Sequence, residues 1–274
     1  MSLDPLVRPA IIDWLPAGMV HQVTRISTES YEVVYIHPEL HQPGGGGAPA
    51  EVQVQMWQAG RAPWQLPEAH QYEYRDTTPV NGSPAQWRAL DHGAGLLRWQ
   101  YHPNAWVQVR SAGLPGQPEA VARQIALSMR FDATERVRLP WRLTGLPAGL
   151  TATSLQIIND VDRPWQTELA FQGVETSPRV HDPWLILRAT KGYAYPPYDR
   201  PEPNTTVHGC PAQLVKHAEG DSLVIYCPDY ITHYLHATPA GLALLAPDDL
   251  ADLAERLGLL ADPPTWQTIG RERR

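Results

Sequence analysis

The sequence has little of the material that marks the commoner functional classes. Its 274 residues include only two phenylalanines and two cysteines, and 19% of them are charged. No apolar stretch approaches the ~20 residues that cross a bilayer, and residues 1–18 carry neither the basic nor the apolar region of a signal peptide. Neither a membrane span nor an export signal is expected. The 22 basic residues form no run or stripe and are outnumbered by 29 acidic ones, a net charge of −7, so a surface that tracks phosphates is excluded and no nucleic-acid partner is expected. No GxSxG, HExxH or GxGxxG stands in a suitable context, and no carboxylate pair stands out from ordinary surface acids. The glycines at 44–47 lack the Lys-Ser/Thr of a phosphate loop and read as a hairpin loop. The expectation is a chain that is not an enzyme, with no catalytic residue, cofactor or metal to name.

What is present describes architecture. At 43% hydrophobic, a chain of this length can bury roughly 73% of its unfolded surface. Proline, at 28 residues, is abundant, and 10 Trp and 11 Tyr far outnumber Phe. Many turns between short elements, and aromatics with a polar handle, favour a β-rich fold.

An internal repeat is visible. Val80-Asn81-Gly82-Ser83-Pro84-Ala85-Gln86 recurs as Val207-His208-Gly209-Cys210-Pro211-Ala212-Gln213, five of seven identical at an offset of 127. The same offset places Leu96 on Leu223, Leu97 on Val224 and Trp99 on Tyr226. Upstream, Leu15-Pro16-Ala17-Gly18 recurs as Leu146-Pro147-Ala148-Gly149. Period-two alternation predicts strands near 19–27, 31–38, 51–59, 85–90, 96–101 and 105–110, and again near 150–159, 166–173, 184–190, 211–216, 222–227 and 230–237. Helices are expected near 118–130, opened by Pro118 and Glu119, and near 247–259, opened by Pro247, Asp248 and Asp249. Short turns make neighbouring strands antiparallel.

These residues carry a resemblance. The run from Val80-Asn81-Gly82 through Leu97-Arg98-Trp99-Gln100-Tyr101, Trp106-Val107-Gln108-Val109 and Ser128-Met129, with Arg138-Leu139-Pro140-Trp141-Arg142-Leu143-Thr144-Gly145-Leu146-Pro147 after it, is similar to uncharacterised actinobacterial extracytoplasmic proteins. Those resemble the LolA/LolB lipoprotein carriers and the RseB/MucB sigma-factor regulators. The resemblance covers roughly 78–147, and the second copy only through the repeat. It implies an α+β chain of two tandem antiparallel half-barrel sheets, each covered by a helix. The expected division is an N-terminal segment 1–13, domains 14–140 and 141–262, and a frayed tail 263–274. It also implies an extracytoplasmic or envelope setting, although the membrane anchor common in the family is not seen, which fits either an excised ectodomain or a soluble member. Gly82 and Gly209 fit strand starts with an unusual backbone angle or a close approach.

The function expected first is a non-enzymatic module that holds an acyl chain or apolar peptide between sheet and helix. Trp99, Trp106, Val121, Ile125, Tyr226, Tyr234 and Leu253 are the candidate cleft residues. The alternative is a protein-interaction or sensory ectodomain whose cavities are filled, contacting a protein partner through aromatic loops that carry Trp64, Tyr72 and Tyr74 in one copy and Tyr193, Tyr195 and Tyr198 in the other. An enzyme with an unrecognised site stands third. Cys210 and Cys227 flank the midpoint of one hairpin and read either as a disulfide or as two reduced, buried thiols. His208 shares their face, which makes a partial metal site conceivable, but a fourth ligand is missing. His233 and His236 fall on opposite faces of a strand.

Overall fold

In a computed structural model of the chain, the expected alternation becomes strands whose odd and even residues differ in burial. The structure describes residues 3–40, 50–60, 74–131, 135–159, 165–173, 183–192, 202–260 and 264–268. The chain divides into two units, Met1–Glu135 and Arg136–Arg274. The first contains β1 (Val7–Arg8), β2 (Ile11–Ile12), β3 (Val20–Ser27), β4 (Ser30–Ile36), β5 (Glu51–Trp57), β6 (Arg75–Val80), β7 (Ser83–Leu90), β8 (Ala94–His102), β9 (Ala105–Ala112), α1 (Pro118–Leu127) and β10 (Met129–Arg130). After β11 (Glu135–Arg138), the second contains β12 (Leu150–Ile158), β13 (Gln166–Gly173), β14 (Leu185–Lys191), β15 (Thr205–Val207), β16 (Cys210–His217), β17 (Gly220–Cys227), β18 (Ile231–Ala237), α2 (Pro239–Leu245), α3 (Leu250–Leu257) and β19 (Thr265–Thr268). The fold is thus α+β in the broad sense, dominated by strand, with three helices among the described residues.

The first unit's antiparallel strands run β3-β4-β5-β9-β8-β7-β6, and the second unit's run β12-β13-β14-β18-β17-β16-β15. Strand for strand, these are the same order, and neither closes into a barrel. In the first unit the apolar residues Val33, Val54, Val109 and Leu97 are successive cross-strand partners and are almost wholly buried. Helix α1 lies on this side. Its Ala122, Ile125 and Ala126 are buried, and the Ser111 hydroxyl on the same face donates to the Pro118 carbonyl at 2.8 Å. In the second unit, Leu187, Leu235 and Leu223 line up in the same way. They face α3, whose Leu250, Leu253, Ala254 and Leu257 are buried. Each large aliphatic side chain so buried contributes about 1.5–3 kcal/mol.

The edge hairpins explain the repeated motif. Asn81 and Gly82 have φ of 49° and 82° between paired Val80 and Ser83, and His208 and Gly209 have 48° and 73° between paired Val207 and Cys210. Two left-handed residues in a two-residue loop twist in the sense that the strands need. A Cβ at either glycine would meet nothing within 4 Å, so the backbone angle and not a close approach calls for glycine there.

The next turn overturns the constant offset. Leu90 pairs with Ala94 across three residues, whereas His217 pairs with Gly220 across two. One residue fewer makes Ile225, not Tyr226, the counterpart of Trp99, because Ala85 pairs with Trp99 and Ala212 with Ile225. A one-residue slip reverses every side chain that follows.

Other differences have local causes. The edge strands β6 and β15 were expected to be loop; Pro79 interrupts β6 and β15 has only three residues, so neither shows alternation. Helix α2 was not expected, and α3 starts after Asp249, whose side chain accepts from the Ala251 and Asp252 amides, which leaves Pro247 outside it. The first thirteen residues, expected to stand apart, contribute to the first unit: Ile11 and Ile12 pair with Arg130 and Met129. The division falls between Glu135 and Arg136 instead of after residue 140, and Thr265–Thr268, expected to fray, is a strand.

At the shortened turn, Gly220 has φ of 134°, and a Cβ there would lie 2.3 Å from the Ala237 carbonyl oxygen. Gly220→Ala is expected to destabilise the protein by about 2 kcal/mol in urea unfolding; an unchanged midpoint would show that the hairpin does not depend on this approach.

Candidate functional site

The candidate cleft residues separate into two groups. Trp99 is 2% exposed, and Ile125 and Leu253 are fully buried, so the space between sheet and helix is filled at these positions by the chain's own core. Val121 is half-buried on α1. Trp106, Tyr226 and Tyr234 lie on the other face of their sheets, away from the helices, and are half-buried. Trp106 and Tyr234 sit at even positions of β9 and β18, whose odd residues form the core. Tyr226 joins them because of the shortened turn.

In the first unit this helix-free face is built in cross-strand rows. Ser30, Trp57, Trp106 and Gln100 form one row, and Glu32, Gln55, Gln108, Arg98 and Gln86 form the next. Polar bonds tie the second row together. The Gln53 and Gln55 amides donate to Glu32 Oε1 at 2.5 and 3.1 Å, and Arg25 pairs with the other oxygen of that carboxylate. Arg98 donates through Nε and a terminal nitrogen to Gln86 Oε1 at 3.0 and 2.8 Å, and its guanidinium lies 3.5 Å from the centre of the Tyr74 ring. The Tyr74 hydroxyl donates to Gln108 Oε1 at 3.3 Å. Glu32 is held below the usual carboxylate range: burial opposes this, but its bonds to Arg25, Gln55 and Gln53 outweigh it.

The second unit has a related face. Gln156, Glu168, Arg188, Tyr234, Val224 and Gln213 are successive partners. Arg188 donates to Glu168 Oε2 at 2.9 Å and lies 5.6 Å from the Tyr234 ring. Ser222 Oγ is 3.2 Å from the Tyr234 hydroxyl and 3.1 Å from His236 Nδ1. The shared theme is arginine against tyrosine beside an amide or a carboxylate. Of the chain's 22 basic residues only Lys191 and Lys216 are lysine, so nearly every positive charge is a planar fork that can stack and bond in two directions.

Of the loop aromatics, Tyr74 packs on its own sheet as just described. Trp64, Tyr72, Tyr193, Tyr195 and Tyr198, and the glycines at 44–47, lie outside the described residues. Cys210 and Cys227 are free thiols, half-buried at opposed positions two residues beyond the Ala212–Ile225 pair. Burial, and then the hydrogen-bonded Cys210 thiol, push Cys227 up to about 12. Among the described residues no group of three or more His, Cys, Asp or Glu is placed to hold a metal ion. His208 instead joins the edge hairpin to α3: its backbone amide donates to Glu255 Oε1 at 2.7 Å, and its Nε2 lies 3.1 Å from the Ala254 carbonyl oxygen.

Two polar groups that sequence reasoning missed are built into the buried faces. Arg8 donates to Glu135 Oε2 at 3.0 Å and to the Tyr35 hydroxyl at 3.1 Å, and His21, edge-on to Tyr35, is pulled down to about 4 by burial and then by the Arg8 charge. In the second unit the Trp141 indole N–H donates to His233 Nδ1 at 3.1 Å. No local spacing marks a pair so far apart in sequence. His236, three residues on, lies on the opposite face.

Among known proteins, no family model matches this sequence, and no curated protein matches it significantly.

Burial, and then the His208 charge, lower His233 from 6.5 to about 4, and the imidazole accepts the indole proton only while neutral. The unfolded chain therefore takes up the proton first. The contribution of His233 is full above about pH 6.5 and is lost as pH falls toward 4, on the order of 3 kcal/mol. Denaturant unfolding across this range should show the loss for wild type and a smaller one for His233→Gln; equal slopes would mean that His233 is not buried neutral.

Proposed function

We propose that this chain is a non-enzymatic protein-interaction module. Its two units are read as half-barrels of the lipoprotein-carrier and sigma-regulator kind, and their contact surface is the helix-free face of each sheet. The observation that carries the reading is the division of the candidate cleft residues. Those under the helices, Trp99, Ile125 and Leu253, are packed core, whereas Trp106, Tyr226 and Tyr234 stand on the face that no described helix covers. An acyl chain needs a dry apolar trough. Rows of Gln, Arg, Trp and Tyr supply flat contact area together with directional bonds, and Arg, Trp and Tyr are the residues enriched at the centres of protein interfaces.

The occupant proposed is a folded protein, and charge favours one that is neutral or basic. The acids on the first unit's face are already engaged, Glu32 by Arg25 and Glu51 by Arg110, and the chain as a whole carries a net charge of −7. A partner offering carboxylate or phosphate in bulk would meet that field unfavourably. The half-barrel resemblance is supported by the shared strand order and by a helix after the last strand of each sheet. An envelope setting is part of the same proposal.

Native and denaturing mass spectrometry of the freshly purified chain, with a solvent extract run beside it, tests the choice. The bare chain mass is expected in both. A stoichiometric apolar species that leaves only on denaturation would restore the carrier reading.

A further inference from the structure

The chain has two cysteines, and the fold brings them together. Cys210 opens β16 and Cys227 closes β17, each two residues beyond the Ala212–Ile225 pair and so opposite one another. The period of two puts both thiols on the side of Ala212 and Ile225, which are wholly buried, and the cysteines are half-buried at the rim of that face. The two thiols are hydrogen-bonded to each other. Opposed residues of antiparallel strands have Cα atoms about 4.5–5.5 Å apart, inside the range that a disulfide spans.

Two further features mark this pair. Pro211 stands between Cys210 and Ala212 and has no amide to donate, so the ladder lacks a donor beside the thiols. In the first unit, Ser83 occupies the place of Cys210 in the repeated motif, and Tyr101 lies two residues beyond Trp99 as Cys227 lies beyond Ile225. One copy of the repeat therefore has thiols at both of these positions and the other copy has a thiol at neither. The same strand order is built without sulfur in the first unit, so packing alone does not call for the two cysteines.

We infer that Cys210 and Cys227 form a reversible dithiol–disulfide site, which a small-molecule disulfide of the glutathione class closes and the corresponding thiol reopens. The Cys210 thiolate attacks one sulfur of that disulfide, expelling one thiol and leaving a mixed disulfide on Cys210. Cys227 then gives its proton to solvent and attacks Cys210 Sγ, expelling the second thiol. The two protons and two electrons that the protein gives up reappear in the two thiols released. The order follows from the surroundings of Cys227: burial, and then the hydrogen-bonded Cys210 thiol, push it up to about 12, so Cys227 is the thiol that keeps its proton and Cys210 the one that attacks first. Closing the bond joins β17 to the edge hairpin, which His208 and Glu255 already tie to α3, so the oxidation state sets how firmly this edge of the sheet is held. The inference does not depend on the interaction-module reading.

The test follows the full chain, reduced and then freed of reductant, by intact mass and free-thiol count during incubation with oxidised glutathione. Wild type is expected to become lighter by two hydrogens without retaining glutathione, to recover both thiols in excess reduced glutathione, and to melt on the order of 5 °C higher in the oxidised form. Cys227→Ser should retain one glutathione. Cys210→Ser should take one up at least tenfold more slowly, because burial, the larger cause of the raised Cys227 value, remains. Serine is the residue that the first unit has in the place of Cys210, so that variant is expected to fold. Two glutathiones retained by wild type, a bond that forms only between chains, an oxidised form that melts no higher, or equal rates for the two variants would each overturn the inference.

Discussion

One face of each seven-stranded sheet must leave water, and the rest of the molecule is arranged around that requirement. Side chains alternate along a strand with a period of two, so burying Val33, Val54, Val109 and Leu97 in one unit, or Leu187, Leu235 and Leu223 in the other, commits every intervening residue to the opposite side. The helices follow from the same need. Both α1 and α3 lay an apolar stripe on the buried face, and each is tied to the neighbouring edge hairpin by polar bonds. Arg123 reaches the Thr78 carbonyl at 2.6 Å in the first unit, and the His208 amide reaches Glu255 in the second. Turn length enters here as a switch. A hairpin loop of three residues in one unit and two in the other preserves the buried face, but only because the following strand changes which of its residues point inward.

The buried faces are costly for a polar group that lacks a partner. Thr167 donates to the Gln156 carbonyl, Ser111 to that of Pro118, and His233 accepts from Trp141, so these three make their bonds where they are buried. The opposite face has no such restriction. Its Gln, Arg, Glu and Tyr side chains bond to one another across strands while keeping part of their surface in solvent, which orders them without burying their charges. Apolar packing and the part-exposed polar networks are in this way assigned to opposite sides of the same strands, and substitutions on one side need not disturb the other.

Much of this was legible in the residues. Alternation placed twelve of the strands, and the proline and acid at 118 and 119 marked the first helix correctly. The glycines at 82 and 209 were read as special and have the positive φ that a tight hairpin needs. Legibility ended where an element depends on a neighbour instead of on its own pattern. Strands β6 and β15 pair at an edge with no alternation to announce them, and α2 is short. The association of Arg8 with Tyr35, or of Trp141 with His233, joins residues that no local spacing relates.

The candidate site divides along the same line. The candidate aromatics, and the repeat that sets them in two copies, are properties of the sequence, because composition and period are local. Which of those aromatics became core and which became surface was decided only in the tertiary structure. Trp99 went inward and Tyr226 outward, although a constant offset aligned them, because one residue is absent from a turn and a strand's two faces are a single residue apart.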